Sequence, residues 1–192
     1  MLSAILLAAG ESKRMGQLKQ GLPLGNSTIL EQSIDNLVHS KIDELIVVLG
    51  YRAQELREKV AGRPVKTVIN PDYEQGMSTS IIAGLHLVDD KAQAVMFVLA
   101  DQPFIDSKIV DKLIDEFSRT SKGIVIPTYR GRRGHPVIFA ISYKEELLRL
   151  KGDVGGRQII KEHPDDILEI PVDSEGINVD IDTVSDYYAH LD

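Results

Sequence analysis

The chain has 192 residues, with 22 Lys and Arg against 29 Asp and Glu, a formal net charge of −7 and no cysteine. Its length suits one domain with a full core, and its 43% hydrophobic and 27% charged residues place it among globular proteins. The acidic balance argues against a nucleic-acid surface, so any phosphate site has to be a local cationic pocket; the missing cysteines exclude disulfides, thiolate zinc sites and a cysteine nucleophile.

Ser3 to Ala9 is a nearly unbroken apolar run of strand length. It has no positive region before it and leads straight into a basic loop, unlike a secretion signal. No other run approaches the roughly 20 apolar residues of a spanning helix, so the expectation is a cytoplasmic protein with no membrane partner. In the loop, Gly10 and Gly16 let backbone N–H groups approach an anion, and Arg14 and Lys19 supply charge. Its spacing is neither that of a Walker A loop nor that of a dinucleotide-binding fingerprint. Taken alone it suits an ordinary strand-to-helix connection equally well.

Thr28-Ile29-Leu30-Glu31 has capping-box spacing and opens a helix with Ile29, Leu30, Ile34, Leu37 and Val38 inward. Glu44 to Gly50 reads as a buried strand, then a helix with Ala53, Leu56 and Val60 inward, then a strand from Val65 to Ile69. The loop from Asn70 to Ser80 runs into a helix carrying Ile81, Ile82, Leu85 and Val88. Ser78 is there either a helix N-cap or, with neighbouring N–H groups, part of an anion site. Ala94 to Ala100 is the most hydrophobic strand; it ends at Asp101-Gln102-Pro103, where an open α/β sheet places its ligands. Asp106 is the expected cap of the next helix.

Past Gly123 the pattern changes to expected strands at Gly123 to Pro127, His135 to Ala140, Ile167 to Val172 and Ile177 to Ile181, around the basic turn Arg130 to Gly134. Asp180 and Asp182 alternate with apolar residues, which on a strand would put both on one face. Either could instead cap a terminal helix from Thr183 to His190. Asp153, in the glycine-rich stretch Gly152 to Arg157, reads from spacing as a turn residue before a helix with Ile159 and Ile160 inward. No linker or repeat divides the chain. The fold class expected is α/β: a single domain (1–192), three-layer and doubly wound on a mostly parallel sheet with antiparallel edge strands in its C-terminal half. Within it, 1–122 is the nucleotide-binding half and 123–192 the acceptor half.

The N-terminal string L-A-A-G-x-S-x-R-M-G-x-x-K resembles the signature of nucleotidyltransferases that act on the molybdenum cofactor. Asn-Pro-x-x-x-x-Gly-Met-x-x-Ser at 70–80, Asp101-Gln102-Pro103, Gly134-His135-Pro136, Gly152-Asp153-x-Gly155 and Asp180-Ile181-Asp182-Thr183 follow in the family's order. Leu-Ala-Ala-Gly and Asp-Gln-Pro look more like the cytidylyltransferase branch than the guanylyltransferase branch. The resemblance implies transfer of CMP from CTP to molybdopterin or its molybdenum complex, with GTP use or a non-catalytic carrier as alternatives. Sugar-phosphate nucleotidyltransferases, which share the first loop, would not be expected to carry the 134–136 and 152–155 turns.

The same resemblance implies nucleotide contacts at Leu7, Ala8, Ala9, Gly10, Ser12, Arg14, Met15, Gly16, Lys19, Gly76, Met77, Ser78, Ser80 and Asp101. Acceptor contacts are implied at Gln102, Pro103, Gly134, His135, Pro136, Gly152, Asp153, Gly155 and Arg157. Arg14, Lys19 and Asp101 would be catalytic, and Mg²⁺ would bind Asp101 with Asp180 or Asp182. A transient contact with a molybdoenzyme and a monomeric state are expected. Gly156, commonly alanine in the family, is expected to be neutral to that change, and Val184-Ser185-Asp186, in place of Pro-Glu-Asp, only alters a cap. His39, His86, His163 and His190 lack ligand spacing and suit surface or packing roles, while His135 is equally suited to a substrate contact or a turn hydrogen bond.

Overall fold

The computed structural model describes residues 1–191. Its main sheet holds β1 (Leu2–Ala8), β4 (Glu44–Leu49), β5 (Lys66–Ile69), β6 (Ala94–Leu99), β7 (Ile124–Tyr129), β8 (Arg132–Arg133), β9 (Val137–Ala140) and β10 (Ile167–Pro171). The spatial order is β10-β7-β9-β6-β1-β4-β5, with β8 paired to β7. β1 runs parallel to β4 and β6, and only β8 and β9 are antiparallel to their neighbours. A small hairpin, β2 (Pro23–Leu24) and β3 (Ser27–Thr28), stands apart.

Alternation along β1 sends Ala4, Leu6 and Ala8 to one face and Ile5 and Leu7 to the other, as a strand covered on both sides must. The first face is covered by α1 (Ile29–Val38), α2 (Ala53–Val60) and α4 (Ser107–Arg119), through Leu30, Ile34, Leu56 and Val110. The second is covered by α3 (Met77–Leu85), α5 (Lys144–Leu147) and α6 (Arg157–Glu162), through Ile81, Leu85, Leu147 and Ile159. The result is the expected three-layer arrangement. Thr28 and Glu31 form the capping box and Asp106 caps α4.

Three expectations need correction. Residues 177–181 are not a strand: Glu175–Asn178 is a 3-10 turn, opened by the Ser174 hydroxyl on the Gly176 N–H, and the chain then bonds to the loop after β6 through the Ile181 N–H to the Asp101 carbonyl at 2.9 Å. Ser78 is not an N-cap; Gly76 holds that position and Ser78 lies inside the first turn of α3. The last helix, α7 (Val184–Tyr188), is capped by Thr183 with Asp186 and not by either aspartate before it. Among the described residues no helix is long and apolar enough to cross a membrane.

Candidate active site

The chain runs from β1 through α1 to β4, on to β5, and then crosses to β6 on the other side of β1, so the sheet changes direction beside the C-terminal ends of β1 and β6. That is where α/β sheets open a crevice. A cleft of about 530 Å³ lies there, lined by Leu7, Ala9, Gly10, Ser12, Arg14, Lys19, Gly76, Met77, Ser80, Asp101, Asp153 and Asp182 among the expected site residues. Glu11, Lys13, Gln20, Tyr73, Glu74, Gln75 and Leu99 also line it and were not anticipated.

The loop after β1 curls through Ser12, at φ 55, and Gly16, at φ 68. The Ser12 carbonyl accepts the N–H groups of Met15 at 2.9 Å and Gly16 at 3.2 Å. Among the described residues, the N–H groups from Gly10 to Arg14 have no protein acceptor. Consecutive unpaired donors around a left-handed residue make a concave anion site. Met15 points away from it and packs with Leu24, Ile29, Ile181 and Tyr187.

Lys19 is 8% exposed, and its Nζ lies 2.8 Å from Asp101 Oδ2 and 2.8 Å from Asp182 Oδ1. Arg14 Nη2 reaches Asp182 Oδ2 at 2.7 Å from a more exposed position. Burial favours neutral Lys19, but the two carboxylates outweigh it and hold its pKa above the usual lysine value. For Asp182, burial is likewise outweighed by Lys19 and Arg14, and its pKa falls. Asp180 goes the other way: burial, with the charges of Asp101 and Asp182, raises its pKa against the hydrogen bond from Gln102 Nε2 at 2.6 Å. The first loop and the β6 tip thus meet in one place.

The second loop behaves differently from expectation. The Met77 N–H donates to the Asp153 carboxylate at 3.2 Å and the Ser78 N–H to the Gly152 carbonyl at 3.2 Å, so the start of α3 is already capped by the 152–156 turn. This close approach requires glycine at 76: a Cβ there would lie 2.5 Å from the Gly152 carbonyl carbon. Ser80, held by Asn70 Nδ2 at 3.0 Å, is the hydroxyl of this helix that lines the cleft.

Of the expected acceptor residues only Asp153 lines the cleft; Gln102, Pro103, Gly134, His135, Pro136, Gly152, Gly155 and Arg157 do not. Ala8, Gly16, Ser78 and Asp180 are also absent from its wall. Gln102 Oε1, His135 Nδ1, Asn178 Nδ2 and Asp101 Oδ1 are buried without a partner among the described residues, all around the tip of β6 and the 134–136 and 177–180 turns. Burial, helped by the Arg157 charge and opposed by Asp101, lowers the His135 pKa. Asp153 and Asp182 bring residues of the C-terminal half into the wall of the cleft beside the first loop.

The donors available to a divalent ion are all oxygen. Asp101 Oδ2 and Asp182 Oδ1 already converge on one cation, and Asp101 Oδ1 is free, so these residues fit a hard metal such as Mg²⁺ or Mn²⁺. They are not a preassembled cage. The single group of three acidic or histidine side chains found close enough together among the described residues is Glu146, Glu162 and His163, none of which lines the cleft.

Residues 4–167 match the family described as the MobA-like NTP transferase domain. The molybdenum cofactor cytidylyltransferase of Escherichia coli K12 is 32% identical over 97% of this chain and 93% of its own. The nicotine blue oxidoreductase of Paenarthrobacter nicotinovorans is 28% identical over 99% and 96%. The crystal structure of Rv0371c from Mycobacterium tuberculosis H37Rv superposes with TM-score 0.90 and 30% identity over 99% of this chain and 96% of that one. A complex of Rv0371c with manganese superposes with TM-score 0.86 and 28% identity, over 99% and 97%. The chain therefore belongs to the MobA-like NTP transferase family and is a nucleotidyltransferase.

Proposed function

We propose that the protein transfers CMP from CTP to the terminal phosphate of molybdopterin or its molybdenum complex. An oxygen of the acceptor phosphate forms the new bond to the α-phosphorus, the α–β bond breaks, and pyrophosphate leaves. The observation that carries this reading is the run of unpaired N–H groups from Gly10 to Arg14 beside buried Lys19, a donor array suited to a polyphosphate. The likeness to a cytidylyltransferase and the Leu-Ala-Ala-Gly string favour CTP over GTP.

A phosphate monoester with a second pKa near ~6 is mostly dianionic at neutral pH and needs no protein base. The task left to the chain is to hold two polyanions in line and neutralise their repulsion. The loop N–H groups would hold the triphosphate, and Lys19 and Arg14 would offset charge gathering on the leaving pyrophosphate. Asp101 and Asp182, with Asp180 beside them, would hold Mg²⁺, which when bound supplies further charge neutralisation on the phosphates. The manganese complex of Rv0371c supports a divalent ion in this fold.

Pyrophosphate release from CTP or GTP, with Mg²⁺ and molybdenum cofactor, tests the reading. Faster release with CTP is expected. Faster release with GTP would make it a guanylyltransferase, and cofactor binding without release from either nucleotide would make it a carrier.

A further inference from the structure

The 3-10 turn Lys19–Gly21 carries two adjacent buried side chains with different destinations. Lys19 reaches the two carboxylates, whereas Gln20, 3% exposed, turns back to the loop after β1. Its Nε2 donates to the Gly10 carbonyl at 3.2 Å, and its Oε1 accepts from the Ser12 hydroxyl at 3.3 Å. A primary amide suits both partners, because it offers a donor and an acceptor on one planar group. Gly10 and Ser12 belong to the stretch whose N–H groups are unpaired. Ser12 is also the left-handed residue whose carbonyl closes the turn onto Met15 and Gly16.

We propose that Gln20 is a positioning residue for the phosphate-binding loop: it fixes Ser12 in its left-handed conformation and so keeps the Gly10 to Arg14 N–H groups converging on one anion. This rests on the reading that the loop holds the triphosphate. A non-glycine residue keeps a left-handed backbone only when its surroundings over-determine it, and the amide supplies that constraint from both sides of Glu11. Gln20 is uncharged, so it does this without competing with the incoming phosphate. Because it neighbours Lys19, one turn sets the loop and the ammonium group relative to each other.

The test compares wild type with Gln20→Met, similar in volume but without the amide, and Gln20→Glu, which keeps an acceptor for Ser12 but loses the donor to Gly10. Amide hydrogen exchange is read at Met15 and Gly16 in the ligand-free proteins, and CTP with Mg²⁺ and inorganic pyrophosphate are titrated calorimetrically. In Gln20→Met, exchange at Met15 and Gly16 should rise about tenfold and both ligands should bind about tenfold more weakly. Exchange within α4 should stay unchanged, and the melting temperature should fall by no more than about 4 °C. Gln20→Glu should bind both ligands more weakly still. Combining Gln20→Met with Ser12→Ala should cost less than the sum of the single changes, since both remove the Gln20–Ser12 bond, while Ser12→Ala alone also frees the Lys19 N–H that donates to Ser12 Oγ at 3.4 Å. Wild-type exchange at Met15 and Gly16 in Gln20→Met would overturn the proposal, as would a general rise in exchange that includes α4. If wild type binds neither ligand, the transferase reading fails, while the exchange comparison still decides what Gln20 does.

Discussion

Lys19 lies between Asp101 and Asp182, at the position toward which two oxygen donors point. In the ligand-free protein its ammonium serves as the local counter-ion, and a divalent ion has to compete with it. Lys19→Gln should therefore bind Mn²⁺ more tightly than wild type in the absence of nucleotide, by calorimetry or electron paramagnetic resonance. The same variant should bind CTP about 10- to 100-fold more weakly, the range for losing a charge-assisted contact. Equal or weaker Mn²⁺ binding by the variant would separate the lysine from the proposed metal site. A second carboxylate makes a pH prediction. Burial alone would raise the Glu44 pKa, but hydrogen bonds from Lys66, Ser3 and the Asp89 N–H outweigh it and lower it below the usual 4.5. Its contribution is thus fully present above the unfolded-state value and disappears as pH falls through the lower folded-state value. The stability gap between wild type and Glu44→Gln should be constant above about pH 5.5 and close below about pH 4, by denaturant titration. A gap that widens on acidification would contradict the depressed pKa.

At the level of elements, Gly156 departs most from what the sequence suggests. It opens α6 with ordinary dihedral angles, so alanine looks harmless there. A Cβ, however, would sit 2.5 Å from Cζ of Phe139, which is 1% exposed in the core. Gly156→Ala should cost about 1 to 3 kcal/mol through overpacking, seen as a lower denaturation midpoint, and Phe139→Leu should recover part of it. Full stability of the single variant would mean that the ring moves freely. The repeating apolar positions of α1, α2 and α4, and the caps at Thr28 and Asp106, were readable because their signals are local in sequence. The 177–181 segment was misread because Ile177, Val179 and Ile181 alternate as in a strand, although its long-range backbone bonds go to the loop residues Asp101 and His135 and not to a strand. Capping of α3 by Gly152 and Asp153 left no local trace, because the partners lie about 75 residues apart.

For the whole molecule, strands alternating with helices announce the doubly wound sheet, and the loop after β1 and the tip of β6 announce where it binds. The position of β9 between β6 and β7 was not readable, since a short apolar strand carries no mark of its neighbours. Nor was Gln20, a neutral side chain beside a lysine that draws the attention. One sheet joins both halves of the chain, and carboxylates from the second half enter the first half's cleft. Relatives of this fold carry transferase and oxidoreductase names alike, so the fold by itself does not choose the chemistry, and the reading proposed above rests on the loop after β1. Amide chemical shifts recorded while CTP and Mg²⁺ are added to labelled protein examine that loop directly. The largest changes should fall on Gly10 to Arg14, whose N–H groups are free, while Met77 and Ser78, whose N–H groups are already bonded, should change less. Perturbation centred on the start of α3, with Gly10 to Arg14 unmoved, would contradict it.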